Sequence, residues 1–227
     1  MLTVRESLDD IVARRVEFLT GYQNAAYAQQ YSRFVERVRA AEAPLGKSTL
    51  SEAVARNLFK LMAYKDEYEV ARLYSDGSFL QQLQAQFAGD YRLQFHLAPS
   101  WLTKADPVTG APRKRQFGPW MLKAFALLAK FKFLRGTALD PFGYGAERQL
   151  ERELIEEYER SVEYLLAELK PGNYRTAVAL AELPEQIRGY GHVKEQAVAK
   201  VREQGRQLKA RLLASEIQAV QLFEPAA

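Results

Sequence analysis

The chain has 227 residues, 48% hydrophobic and 26% charged, with a net charge of +4, a composition that suits a globular protein with a real core. It contains no cysteine, which excludes disulfides, thiolate zinc sites, cysteine-ligated iron–sulfur clusters and cysteine nucleophiles from this polypeptide. No apolar run reaches the roughly 18 residues of a membrane span, and MLTVRESLDD does not read as a signal peptide, so the expected setting is the cytoplasm, without a membrane partner.

Ser7, with Asp9 and Asp10 after it, starts a helix whose face is Leu8, Ile11, Val12, Val16 and Leu19; acidic residues suit a first turn. Gly21 is the expected break. A second helix carries Tyr27, Tyr31, Phe34, Val35, Val38 and Ala41 and ends at Pro44 and Gly46. The clearest helix signals follow. Thr49 with Glu52 fits a capping box, and Leu50, Val54, Leu58, Leu61 and Met62 recur at three- and four-residue spacing. Asp66 with Glu69 fits a second box, with Val70, Leu73 and Tyr74 as the face of the next helix. Such spacing is ordinary core patterning; the competing reading has Tyr64, Lys65, Asp66 and Tyr68 lining a surface for a partner or ligand. Ser78 starts a short helix closed by Gly89.

The period then changes. In Asp90–Ala98, Tyr91, Leu93, Phe95 and Leu97 alternate with Arg92, Gln94 and His96, which predicts a strand. Residues 113–117 supply its partner across an Asp-Pro-Val-Thr-Gly turn at 106–110. Gly118-Pro119 opens a helix with Trp120, Ala124, Leu127, Leu128, Phe131 and Leu134 as its apolar stripe. After a turn at Asp140–Gly143, a long helix from Ala146 to Leu169 turns Leu150, Leu154, Tyr158, Val162, Leu165 and Leu169 inward. Asn173 caps a short helix to about Leu183, and a last helix runs from about Val193 to Val220. The chain therefore reads as mainly α: a single multi-helix domain over 1–227 with a small β-hairpin insertion around residues 90–117.

Motifs that carry chemistry are missing. There is no Walker loop, no G-x-G-x-x-G, no G-x-S-x-G and no H-E-x-x-H. Gly189-Tyr190-Gly191 lacks a preceding strand, and His96 and His192 are isolated. No catalytic, cofactor-binding or metal-ligating residue is assigned. The charge distribution is more informative. From Pro107 to Leu139 there are seven basic residues and no acidic one, whereas Ala146–Leu169 carries eight glutamates and three arginines. Complementary faces of an antiparallel helix pair are one reading. The other is that Arg113, Lys114 and Arg115, with Lys123, dock an anionic partner. Basic charge confined to one loop and helix, with a balance of only +4, argues against nucleic acid.

Several blocks are familiar as a set: Arg15–Thr20 with Tyr22–Tyr27, Ala55–Tyr74, Phe117–Met121, Leu139–Gly143 and Pro184–Lys194. In this order they resemble the C-terminal helical domain of the long, fused bacterial indolepyruvate ferredoxin oxidoreductases, over nearly the whole chain. The resemblance implies an enzyme that oxidatively decarboxylates arylpyruvates to acyl-CoA and reduces ferredoxin, using thiamine diphosphate, magnesium and iron–sulfur clusters. This chain lacks the thiamine-binding motif and any cluster cysteine, so no family catalytic residue transfers to it. The resemblance implies an accessory domain whose partners are the remaining domains of the oxidoreductase, with ferredoxin or coenzyme A as candidates for the basic loop.

Overall fold

A computed structural model describes residues 6–87, 89, 92–97 and 115–221, with side chains to Leu212. The described residues are mainly helical, with nine α-helices and one two-stranded antiparallel sheet. The chain divides into two compact units. One combines residues 1–64 with 143–227; the other is the continuous stretch Lys65–Phe142.

The larger unit contains α1 (Leu8–Tyr22), α2 (Ala25–Glu42) and α3 (Thr49–Met62) from the first half of the chain. From the second half come α7 (Ala146–Ala167), α8 (Tyr174–Glu182) and α9 (His192–Gln221). Ser7 and Asp10 form a reciprocal capping box on α1. The helix runs through Gly21; the break falls at Gln23, and Asn24 caps α2 by accepting from the Tyr27 amide. α3 is the centre of the unit. Leu50, Val54, Leu58 and Met62 have no exposed surface, and α1, α2, α7 and α8 all pack against this helix.

Polar ends are satisfied by distant side chains. The predicted Thr49–Glu52 capping box does not form. Instead the buried Glu42 carboxylate, at the end of α2, accepts from the Leu50 amide (2.9 Å), the Ser51 amide (2.8 Å), the Ser51 hydroxyl and the Tyr174 hydroxyl (2.5 Å). A carboxylate there suits the positive end of a helix. At the other end of α3, Tyr27 donates to the Met62 carbonyl (3.0 Å) and Tyr22 to the Tyr64 carbonyl (2.9 Å), meeting acceptors that a helix terminus leaves open. Lys60 donates to the carbonyls of Pro184 and Glu185. Asn173 precedes α8 without capping it; its side chain bonds the Lys170 amide and the Glu168 carbonyl, closing the turn before the helix. The α7 glutamates find cations within this unit: Glu151 with Lys194, Glu153 and Glu157 with Arg202, and Glu163 with Arg37.

The smaller unit contains α4 (Glu67–Ser75), α5 (Ser78–Gln86), β1 (Phe95–Leu97), β2 (Arg115–Phe117) and α6 (Met121–Lys130). β1 and β2 pair antiparallel with Phe95 opposite Phe117 and Leu97 opposite Arg115. Phe95 points inward and His96 outward, as period two requires. The connecting residues 98–114 lie outside the described residues. Ala71, Phe95, Met121 and Phe125 form the core, with Tyr74 stacked on Phe125 and edge-on to Phe95. This corrects part of the apolar stripe expected for α6, of which Ala124 and Leu128 do pack against this core. Met121 and Phe125 turn inward, whereas Trp120 and Leu127 are 60% and 59% exposed.

Candidate functional site

Arg113 and Lys114 lie outside the described residues. Arg115 and Lys123 are described, and both are exposed. Arg115 stands on β2 opposite Leu97. Its neighbour Gln116 reaches across the hairpin through its side-chain Nε2 to the side-chain Oε1 of Gln94 (3.1 Å) and to His96 Nε2 (3.4 Å), so the histidine belongs to an exposed polar ladder. Phe117 then turns edge-on to Trp120, with ring centroids 6.1 Å apart. Gly118–Trp120 form a turn rather than the first helical residues: the Met121 amide donates to the Gly118 carbonyl and Leu122 to that of Pro119. Lys123 projects from the first turn of α6. The described part of the expected docking site is thus a basic edge with an aromatic pair beside it.

The seven cations of residues 107–139 are not equivalent. Arg135 is buried, and its guanidinium grips both carboxylate oxygens of buried Asp66 (Nε to Oδ2 2.5 Å, Nη2 to Oδ1 2.9 Å). Lys132 is half-buried, and its pKa is lowered by that burial and then by the Arg72 and Arg135 charges. Among the described residues, Lys123 and Lys130 are exposed and have no ion-pair partner.

Tyr64, Asp66 and Tyr68 do not line a surface; all three are buried, and only Lys65 is exposed. Asp66 caps α4 by accepting from the Glu69 amide (2.8 Å), while Glu69 turns away to pair with Arg72. Tyr68 donates to Asp140 Oδ1 (3.1 Å), and Asp140 also accepts from the Gly136 and Phe142 amides. Burial, then the Asp140 charge, pushes the Tyr68 hydroxyl far above its ordinary pKa. The network ties the 135–142 loop to α4, and each of these buried polar groups is met by another, as a low-dielectric interior requires.

The larger unit has a cleft of about 340 Å³ between α7, α8 and α9. Leu154, Leu180, Leu183 and Val198 line it, and Arg202 and Arg206 stand at its edge. Those arginines are already engaged, Arg202 with Glu157 and Arg206 with Glu203. Gly189 and Gly191 flank exposed Tyr190. Gly189 has φ +94°, and a Cβ there would lie 2.7 Å from Val193 Cγ1, so this G-x-G serves a tight entry to α9. His192 opens that helix and is exposed. Among the described residues no three His, Asp or Glu side chains converge as a metal site. With no cysteine present, the donor set does not fit an iron–sulfur cluster. No helix among the described residues is long and apolar enough to cross a membrane.

Sequence reasoning missed two features. The Asp66–Arg135 pair joins residues 69 apart, beyond the reach of any local pattern. The apolar stripe expected for α6 joins exposed Trp120, Leu127 and Phe131 to core-packed Ala124 and Leu128, and it leaves out Met121 and Phe125, which are the buried pair. Comparison with known proteins finds a family model, described as "Family of unknown function (DUF6537)", that matches residues 8–207. No curated protein and no solved structure matches the chain.

Proposed function

This chain belongs to DUF6537, a family of unknown function, and we propose that it serves as a non-catalytic structural and docking domain of an indolepyruvate, or more broadly 2-oxoacid, ferredoxin oxidoreductase in the cytoplasm. The observation that carries the reading is the ordered set of sequence blocks from Arg15 to Lys194. In such an enzyme thiamine diphosphate, magnesium and the iron–sulfur clusters belong to other domains. This domain contributes packing against them and a basic edge, including Arg115 and Lys123, for an anionic partner such as ferredoxin or coenzyme A. Alone, it is expected to be inactive.

The test starts from the native particle. The polypeptide, tagged and recovered from its own cells, is expected in an assembly far above its own 25.9 kDa, with bound iron and thiamine diphosphate and with arylpyruvate-dependent ferredoxin reduction. Charge reversal at Arg113, Lys114, Arg115 and Lys123 is then expected to raise the apparent KM for ferredoxin or for coenzyme A. A cofactor-free species of about the monomer mass removes the reading. The alternative is then a stand-alone helical interaction module, which the exposed cations Arg115 and Lys123 also suit.

A further inference from the structure

We propose that the outer face of α6 is the docking face for an acidic protein, one that presents apolar side chains ringed by Asp and Glu carboxylates. A surface helix ordinarily buries one stripe and turns polar residues to water. α6 does not. Its inner face enters the core through Met121 and Phe125, yet Trp120, Leu127 and Phe131 are 60%, 59% and 42% exposed. Trp120 immediately precedes α6 with a helical backbone conformation and Phe131 immediately follows it, so at 3.6 residues per turn these two and Leu127 fall within roughly 40° of one another, in a single row along the helix and its two flanking residues. Phe133, in the turn that follows, is 60% exposed. Aromatic and aliphatic side chains grouped in this way mark an interaction site rather than a solvated surface.

The chemistry of the occupant follows from the rim. Lys123 and Lys130 lie along one flank of the row, and neither has an ion-pair partner among the described residues. No carboxylate occurs anywhere in residues 107–139. A two-fold pairing of this face with a second copy would set lysines against lysines, which is unfavourable. A lipid surface is a poorer match, because stable membrane attachment takes more than one weak signal, and α6, with 10 residues, is under three helical turns long and has its lysines on one side. A protein with apolar knobs and surrounding carboxylates satisfies both row and rim: the apolar centre supplies affinity and the charges set encounter and register. The inference shares Lys123 with the docking role above but requires no oxidoreductase.

The experiment places the photo-crosslinking residue p-benzoylphenylalanine at Leu127 of the full chain in its source cells, with the same residue at exposed Glu156 of α7 as the control. The expected result is one light-dependent protein adduct specific to position 127, in which the cross-linked partner peptide carries apolar residues flanked by Asp or Glu. Lys123→Glu together with Lys130→Glu should lower its yield about tenfold. An adduct with a second copy of this chain, with lipid or with a peptide lacking acidic flanks overturns the proposal. So does the absence of any adduct above the Glu156 control, provided that the helical melt is unchanged; if the Leu127 variant misfolds, the same reading is taken from Phe133. An acidic partner that is neither a ferredoxin nor part of a thiamine or iron–sulfur enzyme keeps this inference and removes the oxidoreductase reading.

Discussion

Glu42 illustrates how much a single buried side chain can hold. Its carboxylate accepts from two amides and two hydroxyls belonging to α3 and α8. Glu42→Gln puts an NH2 group where only donors face it, so donors lose their acceptor in a dry site. The expected cost is about 2–3 kcal/mol, read as a lower denaturation midpoint with an unchanged m-value. Tyr68 gives a prediction with a pH axis. Its hydroxyl holds its proton more tightly when folded, because of burial and then the Asp140 charge. Its contribution is complete below the unfolded pKa of about 10. Above that pH the unfolded chain gives up a proton that the folded chain keeps, so stability falls as pH rises. Tyr68→Phe should lower stability by about 1 kcal/mol at neutral pH and flatten the alkaline slope, measured as urea midpoints from pH 8 to 11. Tyr158, raised chiefly by its own burial, remains and keeps part of that slope.

At the level of elements, α6 is the instructive case. Phe125→Ala empties a core position between Tyr74 and Phe95 and should cost about 3–5 kcal/mol. Leu127→Ser, two residues on but 59% exposed, should change stability by less than about 0.5 kcal/mol; urea denaturation of both variants separates the two faces. Periodicity could not make this choice, because α6 is apolar on both sides and offers two stripes of similar quality. Elements with one apolar face were legible: α1 with its Ser7 cap, the central helix α3, and the hairpin, whose alternation fixed both Phe95 inward and His96 outward. What stayed hidden was whatever depends on distant partners. Thr49 and Glu52 have the spacing of a capping box, but Glu42 outcompetes them from the end of the preceding helix. Asn173 likewise bonds backward to Glu168 and Lys170 instead of forward. For the candidate site, exposure of Arg115 and Lys123 agrees with a docking role, whereas Arg135 is withdrawn into the Asp66 pair, which no count of basic residues could reveal.

At the level of the whole molecule, the two units differ in what reports on them. Both tryptophans, Trp101 and Trp120, lie within Lys65–Phe142, while most of the helix lies in the other unit. Tryptophan fluorescence therefore reads the smaller unit and far-ultraviolet circular dichroism mainly the larger. Asp66→Asn leaves the buried Arg135 guanidinium without its counter-charge and should cost about 3–5 kcal/mol. The fluorescence-detected melt is expected to fall well below the dichroism-detected one in this variant. Coincident curves would mean that the two units unfold as one cooperative block.

The order of the chain also sets an order in time. The smaller unit is continuous, so it is complete as soon as its last residue leaves the ribosome. The larger unit is not: α3 emerges with its apolar face ready, but its partners α7 and α8 are encoded on the far side of Lys65–Phe142. At roughly 5–20 residues per second of synthesis, α3 waits several seconds for them, with α1 and α2 as the helices of its own unit already made. The newborn chain thus passes through a stage in which its eventual centre is half-built. Ribosome-bound chains stopped just after Phe142 should expose that surface to trigger-type chaperones, and chains stopped well beyond α8 should not.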